Sequence, residues 1–375
     1  MKRTIVLGLT GSVATVLYQK LINELQTLGN VVVILTEKAE HFVSDEFDGV
    51  KVFRESKEWT WFRSELVKRP GFPNIDQNFD HKWRRDDPVL HINLRDMGSA
   101  LVIAPCSANT MGKMASGICD NLLTSVARAW DVNRPVIIAP AMNTHMWNHP
   151  VTLQNIVTLT SWGYTIVDPQ DKMLACGTKG MGALAEIDEI VKATREALQW
   201  VLPIEPDQFS GIPVGSHPGA FSTQRKHEKH TGVDLYCKES TEVCTVEAGT
   251  VVGIEHFTGE WDQSPWWNNT DCILVEGATG VVCYGEVEPL DTLKVGDSVG
   301  WGELIANVKQ VLKDGKKRED IPGHSTSMLH MELYPHGTLK ASHGFEKCLQ
   351  DPTPFLLEAA EGSEVKQLTY GEKCS

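Results

Sequence analysis

The sequence has no CxxC pair, and its nine cysteines are odd in number and irregularly spaced. We therefore expect reduced thiols in a cytoplasmic protein rather than a disulfide framework. No run approaches the ~20 apolar residues that span a bilayer. Basic side chains are also few, because 35 Lys and Arg stand against 49 Asp and Glu, a formal charge of −14. A field of this sign repels nucleic acid and anionic membranes, so neither is an expected partner.

Continuous apolar runs alternate with helical patterns over the first 200 residues. The clearest runs are TIVLGL at 4–9, VVVILT at 31–36, ALVIA at 100–104 and PVIIA at 135–139. Such runs, separated by helices, predict an α/β domain with a doubly wound parallel sheet covered on both faces. Ligands of these sheets bind beyond the carboxyl ends of the strands. The loops TGS, TEKAEHF, PCSANT and PAMNTHMW should therefore form the ligand site.

The composition of the chain changes after Trp200. Residues 201–224 are rich in Pro, Gly and Ser, which predicts a linker between a first domain at 1–200 and a second at 225–375. Short alternating runs with glycine turns predict that the second domain is mostly antiparallel β. Residues 55–87 mix aromatic and charged side chains without a clear period. They are either a lid or binding loop or a solvated insertion, and the sequence leaves both interpretations open.

Five motifs of the first domain together carry a family resemblance. They are TGSVA, DPVLHINLR, PCSANTMGKMASGICDNLLT, PAMNTHMW and LACGTKGMGALAE. In this order they resemble the phosphopantothenoylcysteine decarboxylases, which are homo-oligomeric flavin-containing cysteine decarboxylases. The resemblance covers about residues 1–200 and implies a flavodoxin/Rossmann-like fold, bound FMN, and a trimer or a multiple of trimers. It further implies oxidative decarboxylation of a pantothenoyl-cysteine conjugate, such as 4'-phosphopantothenoylcysteine, through a thioaldehyde and an enethiolate.

The same resemblance implies roles for individual residues. His91 matches the histidine that assists thiol oxidation, and Asn143 matches the asparagine that holds the substrate carboxylate. Cys176 matches the cysteine that protonates the enethiolate. Arg95 is expected to contact an anionic group of the substrate, with a surface salt bridge as the alternative. The residues expected to hold FMN lie in the loops that follow strands: Gly11, Ser12, Val13, Thr36, Ser107, Ala108, Asn109, Thr110, Ala141 and Met142.

Two positions depart from the pattern of that family. Cys106 stands where leucine is common, which we interpret as a change of packing. Thr178 stands where aspartate is usual in the ACGD motif, so the flap that closes over the substrate is expected to differ.

The second domain contains candidate metal ligands. His230 and Asp234 lie in HTGVD, and His330 lies in SMLHMEL. On a β scaffold these side chains can give a tetrahedral Zn²⁺ three ligands and leave one position open. Together with GTVV, LKVGDSVGWGELIANV and DPTPFL, they resemble the lysostaphin/LytM-type zinc endopeptidases over about residues 225–357. The catalytic histidine positions of that family are Met328 and Glu286 here, so we expect bound zinc without efficient peptidase activity.

Three functions follow from these features. The first is a decarboxylase of coenzyme A biosynthesis. The second is an enzyme that decarboxylates the C-terminal cysteine of a peptide, which the zinc domain binds or trims. The third is a non-enzymatic flavoprotein regulatory subunit. The set of His91, Asn143 and Cys176 argues against the third, because a scaffold does not need it. Cys176 also weighs against the second, because peptide cysteine decarboxylases can stop at the oxidised enethiol.

Overall fold

The structure is a computed structural model that describes residues 3–369 except 45–46, 48, 59–84, 86, 174–178, 226–228, 260–266, 314–326 and 342–348. The chain divides into two compact units, Lys2–Leu198 and Gln199–Ser375. Each unit has its own hydrophobic core. Within the described ranges, no helix combines the length and the apolar character needed to cross a membrane.

The N-terminal unit is built on a six-stranded sheet in which every pair of neighbours runs parallel. Its strands are β1 (Thr4–Leu9), β2 (Asn30–Leu35), β3 (Lys51–Arg54), β4 (Ala100–Cys106), β5 (Val136–Pro140) and β6 (Thr165–Ile166). Their order across the sheet is β3-β2-β1-β4-β5-β6. Strands β4 and β5 are buried along their whole length, as apolar strands covered on both faces must be. The predicted doubly wound parallel sheet is confirmed, and its strand order reverses between β1 and β4.

Helices pack around this sheet. Those that the structure describes are α1 (Tyr18–Leu25), α2 (Leu90–Met97), α3 (Ala108–Ala115), α4 (Leu122–Ala129), α5 (Thr144–Trp147), α6 (Pro150–Ser161) and α7 (Ile187–Leu198). Short 3₁₀ helices at Val13–Leu17, Ala39–Phe42 and Glu55–Lys57 follow β1, β2 and β3. An antiparallel hairpin of β7 (Gln170–Met173) and β8 (Lys179–Ala183) precedes α7. Helices α3 and α4 begin at side-chain caps, since the Ser107 and Asn121 oxygens accept from otherwise unpaired N–H groups.

The C-terminal unit contains an eight-stranded sheet whose paired strands all run antiparallel. The elements of this unit are β9 (Ile212–Pro213), β10 (Val233–Cys237), β11 (Glu242–Cys244), β12 (Gly249–His256), β13 (Asp271–Gly277), β14 (Val281–Pro289), β15 (Ser298–Val299), β16 (Leu304–Val308), β17 (Ser327–Tyr334), α8 (Thr353–Ala359) and β18 (Gln367–Leu368). The order in the sheet is β10-β17-β14-β13-β12-β15, and β16 joins β11 to β14.

The Pro- and Gly-rich segment at 201–224 is hydrogen-bonded to the β elements of this unit. Its strand β9 pairs in parallel with β18 near the other end of the unit. The Ser210 amide donates to the Tyr236 carbonyl, and the Asp234 amide donates to the Gly219 carbonyl, both at 2.9 Å. The segment therefore contributes ordered backbone next to β10.

Candidate functional site

Loops at the carboxyl ends of β1, β2, β4 and β5 enclose a cavity of about 990 Å³ in the N-terminal unit. This volume is at the upper end of the ~300–1,000 Å³ that is usual for small-molecule sites. All ten residues expected to hold FMN line the cavity, and Asn143 lines it as well. The cavity lies where the strand order reverses, which is the usual ligand position in open α/β sheets.

Thr10 joins two of the cavity loops. Its fully buried side chain donates to the Pro105 carbonyl at 2.6 Å and accepts from the Ser107 amide at 2.9 Å. The turn after β1 is thereby fixed to the loop after β4. The 3₁₀ helix Val13–Leu17 and helix α3 both begin at this wall. The first N–H groups of a helix have no intrahelical partner and favour an anion, so this wall suits a phosphate group.

Asn143 occupies the opposite part of the lining, at the start of α5. Its Oδ1 accepts from the His145 amide at 2.9 Å, which fixes the orientation of the side-chain amide. The β7–β8 hairpin is docked beside it, because the Met142 amide donates to the Gly182 carbonyl at 2.9 Å. A Cβ at Gly182 would lie 2.2 Å from the Met142 carbonyl oxygen, so only glycine allows this approach. Cys176 and Thr178 belong to the tip of this hairpin and lie outside the described residues.

Four lysines that the sequence analysis did not select also line the cavity: Lys20, Lys38, Lys113 and Lys172. The Lys113 ammonium is 2.8 Å from both carboxylate oxygens of Asp120, and Lys172 pairs with Glu186. These cations favour a ligand that carries phosphate or carboxylate groups. Lys113 follows Thr110 by one helical turn, and that spacing was the signal that could have identified it.

His91 and Arg95 lie on helix α2 and do not line this cavity. The His91 Nδ1 is 3.3 Å from Glu58 Oε1, in a pair whose side chains are 24% and 6% exposed. The Arg95 Nε donates to the neighbouring Asp96 at 2.8 Å, which is the surface ion pair considered as the alternative. One chain therefore brings Asn143 to the cofactor loops but leaves His91 and Arg95 elsewhere.

Glu58 is a residue that the sequence analysis missed. Burial raises the pKa of its carboxyl group, although the nearby His91 and a hydrogen bond from Ser125 act in the opposite direction. Glu58 lies in the aperiodic segment 55–87, most of which is outside the described residues. No pattern in the sequence marked it. By contrast, Cys106 behaves as the expected packing residue, because complete burial raises the pKa of its thiol to about 12 and keeps it protonated.

The C-terminal unit brings His230, Asp234 and His330 together in its interior. Asp234 on β10 is directly opposite His330 on β17 in the strand register. The Asp234 Oδ1 is 3.0 Å from His230 Nε2 and 2.7 Å from His330 Nδ1. The two ring nitrogens are 3.3 Å apart. All three residues are buried, and one donor atom from each lies within 4.8 Å of the others.

The remaining nitrogens of both histidines have partners of the kind that hold metal-binding imidazoles. His230 Nδ1 is 3.0 Å from the Ala220 carbonyl, and His330 Nε2 is 3.2 Å from Glu332 Oε1. Burial alone would lower the pKa of His330, but its hydrogen bonds to Asp234 and Glu332 outweigh burial and raise the pKa to about 10. The metal-free site thus holds a proton where a cation would bind, and metal binding must release that proton.

Comparisons with known proteins concern the N-terminal unit. The family model described as Flavoprotein matches residues 1–199. Phosphopantothenoylcysteine decarboxylase of Mus musculus is 40% identical over 199 residues, which are 52% of this chain and 88% of that protein. A putative phosphopantothenoylcysteine decarboxylase of Dictyostelium discoideum is 41% identical over 201 residues, with 52% and 92% covered. A solved PPC decarboxylase mutant complexed with pantothenoylaminoethenethiol is 36% identical, with 52% and 98% covered and a TM-score of 0.46.

Proposed function

The chain belongs to the Flavoprotein family through residues 1–199, and we propose that it is an FMN-dependent decarboxylase of a phosphopantothenoyl-cysteine conjugate. One observation carries this proposal: the loops TGSV, SANT and AMN converge on a single cavity at the switch point of the sheet. The support for the substrate class comes from the mouse and Dictyostelium relatives, which carry this activity in their names. The chain is expected to act in the cytoplasm.

The residues that line the cavity fit FMN. Helix N-termini and lysine side chains suit its phosphate, and the apolar side chains of Val13, Ala141 and Met142 suit its ring system. When bound, FMN supplies the hydride acceptor for oxidation of the cysteine thiol, which creates the electron sink for loss of CO₂. Purification of a yellow protein that contains one FMN per chain tests this part of the proposal. A colourless protein that takes up no FMN on titration contradicts it.

The chain's own residues then act on the substrate. The side-chain amide of Asn143 donates to the substrate carboxylate and holds it in the cavity. The imidazole of His91 accepts or orients the thiol proton, and Glu58 fixes the ring through Nδ1. Cys176, at the tip of the hairpin docked beside Asn143, supplies the proton that reduction of the enethiolate requires. Arg95 contacts an anionic group of the substrate.

We also propose that the active form is a trimer or a multiple of trimers. The support is that His91 and Arg95 do not line the cavity that contains Asn143 within one chain. A contact between subunits would allow His91 of one chain to reach the cavity of another. Analytical ultracentrifugation measures the mass of the assembly. A monomer with full activity contradicts this part of the proposal.

For the C-terminal unit we propose a LytM-like domain that retains Zn²⁺ without efficient peptidase activity. The donor set of two imidazoles and one carboxylate suits this metal, and the carbonyl of Ala220 and the carboxylate of Glu332 orient the two rings. Met328 precedes His330 by two residues and has no group that accepts a proton. Metal analysis of the intact protein, together with a peptide cleavage assay, tests this proposal.

A further inference from the structure

Glu286 is a buried carboxylate next to the candidate metal centre that neither unit's proposed function has used. The residue is only 8% exposed. Its Oε2 atom is buried and has no hydrogen-bond partner among the described residues. A buried acceptor left unsatisfied costs about 1–3 kcal/mol, and more when it is charged. Such a group in a folded protein calls for a missing partner.

The backbone at Glu286 is distorted in a way that redirects its side chain. On β13, Cys272 is opposite Gly285 and Asp271 is opposite Val287, so Glu286 has no partner there. The residue is an extra one in the strand, with a left-handed φ of 65°. Bulges of this kind redirect a side chain and are common next to functional sites. A left-handed conformation in a residue other than glycine costs about 1–3 kcal/mol, which the surrounding structure must offset.

The redirected carboxylate is on the side of the metal ligands. Gly285 is directly opposite His330 in the β14–β17 register, which places Glu286 one residue from the partner of a ligand. The charged groups that act on the Glu286 carboxylate are Asp234, His330 and Arg225. The Phe257 ring covers this region, with its centroid 5.4 Å from that of His330.

We propose that Glu286 accepts a hydrogen bond from a water molecule bound at the fourth position of the metal. This inference rests on the proposed zinc site. The three side-chain ligands leave a tetrahedral ion one further position. Glu286 is outside the group of donor atoms that lie within 4.8 Å of one another, so one small molecule between metal and carboxylate fits better than a direct bond. The water supplies the donor that Oε2 lacks.

Substitution of Glu286 by leucine separates this role from a structural one, because it should have two opposite effects. The metal-free protein should become more resistant to urea, because a buried charge without a partner is removed. Zinc affinity, measured by chelator competition on the full chain, should fall by about 10–100-fold, because outer partners of metal ligands have effects of this size. Glu286→Gln keeps an acceptor oxygen without the charge and should lose less.

The matched control is Glu247→Gln in the same unit. Glu247 is 7% exposed, and its Oε1 accepts from the Thr279 amide at 3.1 Å. Zinc affinity of this variant should stay within about twofold of the unchanged protein, because substitutions remote from the ligands act independently.

A crystal structure of the zinc-loaded, unsubstituted protein tests the geometry without relying on any variant. We expect a non-protein oxygen bound to the metal, within hydrogen-bond distance of Glu286. A direct bond from the carboxylate to zinc, or unchanged zinc affinity in Glu286→Leu, overturns the inference while leaving the zinc site intact. Failure of the unsubstituted protein to bind zinc removes the proposed site and the inference with it.

Discussion

The Nδ1 atom of His91 lies 3.3 Å from Oε1 of Glu58, although 33 positions separate the two residues. Glu58 is the less exposed of the two, and its carboxylate also accepts a hydrogen bond from Ser125. A carboxylate held from two sides can fix the orientation of an imidazole and leave Nε2 for the substrate. The pair gives His91 a defined geometry before any ligand binds.

Glu58→Gln should slow flavin reduction by the substrate about tenfold or more, because His91 loses its charged orienting partner. His91→Asn should abolish it, since loss of an acid–base group typically costs ~10²–10⁴-fold. Both variants should retain FMN. Because burial raises the pKa of Glu58, the acid limb of the rate profile should lie above the ordinary glutamate range and disappear in Glu58→Gln. Stopped-flow absorbance measures this rate. The same rate and profile in Glu58→Gln as in the control Glu196→Gln would exclude a positioning role.

Thr10→Val should weaken FMN binding and the N-terminal unit together. The valine keeps the shape of the side chain but leaves the Pro105 carbonyl and the Ser107 amide without their partner. We expect a loss of about 1–3 kcal/mol in the free energy of unfolding. FMN affinity should fall about tenfold, which corresponds to ~1.4 kcal/mol. Urea unfolding and fluorescence titration measure the two effects. Thr158→Val on the exposed face of α6 is the control, and equal FMN affinity in both variants would contradict the account.

Cys176→Ser should still oxidise and decarboxylate the substrate but accumulate a product that is two hydrogens lighter than the normal thiol. Return of the hydride to the enethiolate requires a proton donor, and a serine hydroxyl is a far weaker acid than a thiol. Mass spectrometry of the released product distinguishes the two species. Release of the fully reduced thiol alone would show that Cys176 is not the donor.

The intact chain should hold one Zn²⁺, with ligand bonds of ~2.0–2.2 Å. Replacing His230, Asp234 or His330 by alanine should remove the metal and destabilise the C-terminal unit, because metal binding contributes directly to folding. His256→Ala is the control, since His256 is exposed and pairs with Asp271. Glycine-rich peptides should not be cleaved efficiently. Efficient cleavage would contradict the account, and absence of metal would show that the three side chains only bind one another.

The order of apolar strands and polar loops made the N-terminal sheet and its ligand edge predictable, because continuous runs such as β4 have few alternatives to a central parallel strand. The pairing of His91 with Glu58 was not predictable, since it depends on where an aperiodic segment meets helix α2. The opposition of Asp234 and His330 depends on the register of β10 and β17, which residue types alone do not determine. The Pro- and Gly-rich segment gave a linker prediction because parallel pairing of β9 with β18 leaves no local pattern.

The most direct test of the central claim is incubation of the purified FMN-loaded protein with 4'-phosphopantothenoylcysteine, followed by mass analysis of the products. The account predicts loss of CO₂ and formation of the corresponding reduced thiol, with no turnover by His91→Asn. A peptide that ends in cysteine serves as the competing substrate. Absence of CO₂ loss from the phosphopantothenoyl conjugate, or turnover of the peptide alone, would contradict the account.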